Sequence, residues 1–125
     1  MKKRAGVILI AHGSKRSQSN EEFIKLCEKI KLENIVEFDK ISYAFLELVK
    51  PTIEMAVENM YDENIEQVYL YPYFLNSGKH VIIDIPNIIS KMQSIYTNID
   101  IQLLNHFGSS KSVVSIISSD LQEIL

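Results

Sequence analysis

Three side chains able to hold a metal or move a proton stand just past three apolar runs. His12 follows AGVILIA (Ala5 to Ala11), Glu47 follows Tyr43-Ala44-Phe45-Leu46, and His80 sits in the polar loop Asn76-Ser77-Gly78-Lys79-His80 after QVYLYPYFL. Two imidazoles and a carboxylate at one place could bind a borderline divalent cation such as Co²⁺, Fe²⁺, Ni²⁺ or Zn²⁺. They could equally exchange protons near neutral pH. A histidine at a strand end also serves as an ordinary hydrogen-bonding residue, and spacing alone does not choose among these roles. His106, in Asn105-His106-Phe107-Gly108, follows a further apolar run, but its neighbours carry no other sign of chemistry.

Whether these residues meet depends on the elements that carry them. Ala5 to Ala11 is continuously apolar and rich in branched side chains, as expected of a strand covered on both faces. Ser19-Asn20-Glu21-Glu22 reads as a capping box with Ser19 as N-cap, and Phe23, Leu26, Cys27 and Ile30 follow at helical spacing. A second strand is expected from about Val36 to Leu46. Pro51 is expected in the first turn of the next helix, whose inner face is Ile53, Ala56, Val57, Met60 and Tyr61. The third strand is expected over Gln67 to Leu75, with a bulge or irregular end at Pro72. Its Tyr69, Tyr71 and Tyr73 fall on alternate positions and read as structural aromatics, with a platform for a flat ligand as the alternative. A third helix presents Ile88, Ile89, Met92 and Ile95, with Pro86 near its start. The fourth strand spans Ile99 to Leu104, and the last helix carries Val113, Val114, Ile117, Leu121 and Ile124.

Strands alternating with helices predict an α/β fold: a four-stranded parallel sheet flanked by helices on both faces, in three layers. In open sheets of this kind the ligand crevice lies beyond the carboxyl ends of the strands. His12, Glu47 and His80 are expected at that edge if their strands are near neighbours. Gly13-Ser14 with Lys15-Arg16 could grip an anion through backbone N–H groups and two cations. No G-x-x-x-x-G-K or G-x-G-x-x-G motif is present. A histidine-type phosphatase carries an arginine directly before its nucleophilic histidine. Ala11 stands in that place, so the charge needed beside a phosphate is missing.

The 125 residues suit a single domain over 1–125. A net charge of −3 argues against nucleic acid or an anionic membrane as partner. The lone Cys27 reads as a small buried hydrophobe. Met1-Lys2-Lys3-Arg4 is followed by too short an apolar run for a signal peptide. No run approaches the roughly 20 residues of a membrane span. The cytoplasm is the expected location.

Four stretches in register resemble the sirohydrochlorin chelatases, the class II chelatases that insert cobalt or iron into a reduced tetrapyrrole without ATP. They are Ala-His-Gly-Ser at the end of the first strand, Asn-Glu-Glu-Phe opening the first helix, Ala-Phe-Leu-Glu-Leu…Pro from Ala44 to Pro51, and Pro-Tyr-Phe-Leu…Gly-Lys-His-Val…Asp-Ile-Pro from Pro72 to Pro86. The likeness runs from about residue 6 to 108. It implies His12 and His80 as metal-handling and catalytic residues, with Glu47 as the acidic residue that assists the metal or the protons. The fourth strand departs from the pattern, because His106-Phe107-Gly108-Ser109-Ser110 stands where relatives carry Pro-Leu-Gly and then His-Pro.

The resemblance further implies a substrate bearing eight carboxylates. Lys15, Arg16 and Lys79, with Ser14, Ser77 and Gly78 beside them, are the positions to bind it. No cofactor is implied beyond the divalent metal substrate, Co²⁺, Fe²⁺ or Ni²⁺. Chains of this length resemble one half of the larger chelatases, so the resemblance implies a homodimer whose two copies build the cleft. The implied activity belongs to cobalamin or siroheme biosynthesis. Nickel insertion into a sirohydrochlorin derivative, and a non-catalytic metal- or tetrapyrrole-binding module, are the alternatives.

Overall fold

A computed structural model describes residues 3–79 and 83–125. The elements run β1 (Ala5–Ala11), α1 (Ser17–Glu33), β2 (Lys40–Phe45), α2 (Ile53–Asp62), β3 (Gln67–Pro72), α3 (Ile85–Ile95), β4 (Asp100–Leu103) and α4 (Ser112–Gln122), with a 3-10 turn at Phe107–Ser109 before α4. The four strands form one parallel sheet in the order β2-β1-β3-β4. β1 is therefore central, and alternation of its side chains feeds two cores. Ile8 and Ile10 join Ala44, Val68 and Leu70 against Ile53, Ala56, Val57 and Met60 of α2 and Ile85 and Met92 of α3. Val7 and Leu9 face the other way, with Ile41 and Phe45, against Phe23 and Cys27 of α1. Tyr69 and Tyr71 flank this second cluster, as the structural reading of these tyrosines expects.

Several boundaries differ from the sequence expectation for local reasons. α1 starts at Ser17, and its N-cap is Arg16, with no side-chain cap bond, so Ser19 caps nothing. Asn20 reaches back instead, donating from Nδ2 to the Ser14 carbonyl (2.8 Å) and accepting the Ser14 N–H at Oδ1 (3.0 Å). Val36 lies outside β2, because Asn34 and Glu37 adopt positive φ. The Asn34 amide bonds both the N–H and the carbonyl of Phe38, so a turn replaces the strand's first four residues. Pro51 lies before α2 rather than in its first turn: the N-cap is Thr52, its Oγ1 accepting the Met55 N–H. Pro72 is the last residue of β3.

Cys27 is fully buried, and burial, helped by Glu28, pushes its thiol from 9.0 up to about 12. A thiol held neutral on folding but ionised in the unfolded chain costs stability as pH rises from about 9 toward 12. Two outcomes follow. The folded chain resists iodoacetamide at pH 8 while the urea-unfolded chain reacts, and Cys27→Ala flattens the fall of the thermal midpoint above pH 9.

Candidate functional site at the carboxyl edge of the sheet

Parallel register brings the ends of β1, β2 and β3 to one edge. Ala11 pairs with Phe45 and Ile10 with Pro72, so the segments that follow emerge side by side. The β1 and β2 exits stay zipped past the strands: the Leu46 N–H donates to the Ala11 carbonyl (2.9 Å) and the Glu47 N–H to the His12 carbonyl (3.0 Å). The loop after Glu47 then turns back through Leu48, at φ 70°, until the Pro51 carbonyl accepts the Phe45 N–H (2.8 Å). Glu47 thus sits on a short loop tied down at both ends.

These ties place the two side chains together. His12 Nε2 lies 3.6 Å from Glu47 Oε1, and each side chain is about half exposed, 48% and 51%. An exposed pair of this kind contributes at most about 1 kcal/mol to stability, so it is the backbone ties that hold the two residues near each other. The His12 ring also lies 5.5 Å from the ring of Phe74, tilted by 55°, which limits where the imidazole can turn. Gly13 makes the approach possible. Its φ is +95°, and a Cβ there would run into the Glu47 carbonyl.

The remaining predicted positions gather less tightly. Lys15 and Arg16 are exposed on the loop after His12, Ser77 and Gly78 are exposed on the loop after β3, and Lys79 is exposed in the helical turn that follows. The loop after β1 is braced internally: the Ser14 N–H goes to Asn20, and the Arg16 N–H goes to Ser14 Oγ (3.0 Å). Of the Gly13 and Ser14 N–H groups that the sequence offers to an anion, that of Ser14 is therefore already engaged. The Ser14 hydroxyl hydrogen and the Lys15 and Arg16 side chains remain as donors. His80 lies outside the described residues. Among the described residues, no group of three or more His, Cys, Asp or Glu side chains is placed to hold a metal ion. His106 is half-buried, and its carbonyl accepts the N–H (3.0 Å) and hydroxyl (2.7 Å) of Ser109, which anchors the 3-10 turn.

Sequence reasoning missed Phe74 and Asn20 as supports of the site. Phe74 reads as one more apolar residue of a strand end. Asn20 could have been found from its amide, which mimics a peptide group and so can pair with both main-chain atoms of Ser14 six residues earlier.

A profile of the CbiX family matches residues 6–124. A sirohydrochlorin cobaltochelatase of Methanocaldococcus jannaschii is 31% identical over 87 residues, covering 70% of this chain and 59% of the relative. A chloroplastic sirohydrochlorin ferrochelatase of Arabidopsis thaliana is 28% identical, covering 96% of this chain and 52% of the relative. The chain thus spans between half and three fifths of the length of these relatives. A sirohydrochlorin cobaltochelatase of Sulfolobus acidocaldarius, 25% identical, is covered over 92% of its length.

Among solved structures, a putative cobalamin biosynthesis CbiX protein of Marinobacter aquaeolei superposes with a TM-score of 0.81 at 26% identity, covering 95% of this chain and 93% of that one. The sirohydrochlorin chelatase SirB of Bacillus subtilis subspecies spizizenii, in complex with cobalt, superposes with a TM-score of 0.85 at 26% identity, covering 97% and 51%. With the match extending over nearly the whole sheet and all four helices, the chain belongs to the CbiX family.

Proposed function

We propose that this chain is an ATP-independent sirohydrochlorin chelatase that inserts Co²⁺ or Fe²⁺ in the formation of cobalamin or siroheme. The observation that carries the reading is the His12–Glu47 pair at 3.6 Å, held on the ligand-binding edge of a CbiX-family sheet. Metallation of a tetrapyrrole expels two ring N–H protons as the cation enters. Such a site needs ligands that release the metal and a base that takes a proton. A neutral imidazole at His12 can donate a ring nitrogen to the cation, while the Glu47 carboxylate attracts the cation and accepts a proton. His80, which lies outside the described residues, is the second imidazole in this proposal. Ser14, Lys15, Arg16, Ser77, Gly78 and Lys79, on the segments that follow β1 and β3, engage the substrate's carboxylates in this proposal. Leu48 and Leu75, exposed beside them, offer apolar contact to the macrocycle.

No cofactor beyond the metal substrate enters this scheme, and the cytoplasm is its proposed setting. Among the described residues no helix is long and apolar enough to cross a membrane. One rim covers one face of a macrocycle, so two copies facing each other complete the cleft. The test is a spectrophotometric metallation assay on sirohydrochlorin under anaerobic conditions with Co²⁺, Fe²⁺ and Ni²⁺ in parallel. Catalysed insertion of cobalt or iron is expected. Catalysis with nickel alone would point to an amidated substrate, and tight binding with no rate above background would make the protein a carrier.

A further inference from the structure

The segment after β4 takes no part in the scheme above, yet it is tied to the residues that touch His12. Successive side chains of a strand point to opposite faces, and Tyr73 and Phe74, just past β3, keep that alternation at the carboxyl edge. Tyr73 turns to the α1 side, where its ring stacks on Phe23 (5.8 Å, 17°) and lies 5.3 Å from Phe107. Phe74 turns to the other side. There it packs against the core beneath α2 and α3 and meets the His12 ring at 5.5 Å.

The main chain of these two residues is held from both flanks. The Tyr73 N–H donates to the carbonyl of Ile10 (2.7 Å), two residues before His12. From the β4 side the Gly108 N–H donates to the Phe74 carbonyl (2.8 Å). The turn that presents Gly108 is closed on itself: the Ser109 N–H and hydroxyl both reach the His106 carbonyl, and the Ser110 N–H donates to the Phe107 carbonyl (2.9 Å). Only glycine lets this turn come so close, because a Cβ at 108 would run into the Leu75 carbonyl and crowd its Cα. Phe74 is thus fixed by a residue more than thirty positions away in the chain.

His12 needs such a neighbour. Its side chain is about half exposed, and an exposed side chain moves among three staggered wells at χ1. An imidazole receives a cation through a lone pair in the plane of its ring, so only some of those orientations can work. The Phe74 ring, tilted by 55° to the imidazole, occupies the space into which His12 would otherwise rotate.

We propose that Phe74 is a positioning residue for His12: held by the Gly108 turn, its ring keeps Nε2 directed toward Glu47. Its effect on rate rests on the chelatase reading, whereas the orientation itself rests on the ring contact alone. If the competent orientation falls from nearly all to about one in five of the population, capture of the cation falls about fivefold with it.

The test compares the full wild-type chain with Phe74→Leu, Phe74→Tyr and Gly108→Ala. In wild type, NOEs are expected from the His12 ring protons to the Phe74 ring and to the Glu47 methylenes. Phe74→Leu keeps an apolar side chain but no flat face. It is expected to lose the NOEs to Glu47 and to lower kcat/KM for Co²⁺ about fivefold, with KM for the tetrapyrrole within about twofold of wild type. Phe74→Tyr is expected to restore both. Gly108→Ala, which leaves the Phe74 side chain in place, is expected to weaken the His12–Phe74 NOEs and to share the loss of Co²⁺ capture. A purely structural Phe74 would lower the thermal midpoint and leave the His12–Glu47 NOEs unchanged in Phe74→Leu, and that result would overturn the proposal. So would a Phe74→Tyr variant as defective as Phe74→Leu, or a Gly108→Ala variant with the wild-type His12–Phe74 contact. A wild-type chain that inserts no metal would remove the chelatase reading, while the NOEs still decide the positioning.

Discussion

Replacing His12 by alanine is expected to slow cobalt insertion into sirohydrochlorin by about 100-fold or more, the lower end of what a positioned acid–base or ligand side chain contributes. The circular dichroism spectrum and thermal midpoint should stay within a degree or two of wild type, because the imidazole is half exposed and fills no core. Glu47→Gln keeps the shape of the side chain and removes its charge. It is expected to cost about tenfold, near 1.4 kcal/mol of barrier, with the larger part of the loss at low metal concentration, where attraction of the cation counts most. Equal, small effects from both substitutions would mean that the 3.6 Å pair is only a surface contact.

Gly13→Ala is expected to be the most disruptive single-methyl change at the rim. The residue sits at φ +95°, and the added carbon would meet the Glu47 carbonyl, so the two zipped strand exits must part. Backbone strain and displacement together should remove about 2–4 kcal/mol. For a chain of this size that is a fall in thermal midpoint on the order of 10 °C. Insertion activity should fall with it, since His12 and Glu47 lose their spacing. Gly78→Ala is the control, because a Cβ there meets nothing within 4 Å. It should leave the thermal midpoint unchanged.

The layered fold and the place of His12 and Glu47 were legible in the sequence because both follow from period and topology. β1 reads as a strand buried on both faces, and the two segments after it alternate helix and strand, so the ends of β1 and β2 had to share an edge. The details that failed depend on side chains competing with the backbone. Val36 looks like a strand residue, yet the Asn34 amide closes a turn around Phe38. Ser19 looks like a cap, yet Asn20 spends its amide on Ser14 and the helix begins three residues earlier.

The aliphatic positions of α4 were also visible, but their exposure was not: every residue of the helix except the half-buried Val113 stands in solvent. Periodicity reports that a face is apolar and is silent on whether anything buries it. His80 lies outside the described residues, so its role stays with the proposal.

The claim on which the account turns is that a divalent cation is received between His12 and Glu47. Substoichiometric Co²⁺ added to isotope-labelled protein tests it residue by residue, because the paramagnetic ion broadens nearby resonances. The account predicts selective loss of the His12 ring signals, with the Gly13 and Glu47 amides next and His106 little affected. Broadening centred on another part of the molecule, with the His12 signals untouched, would contradict it.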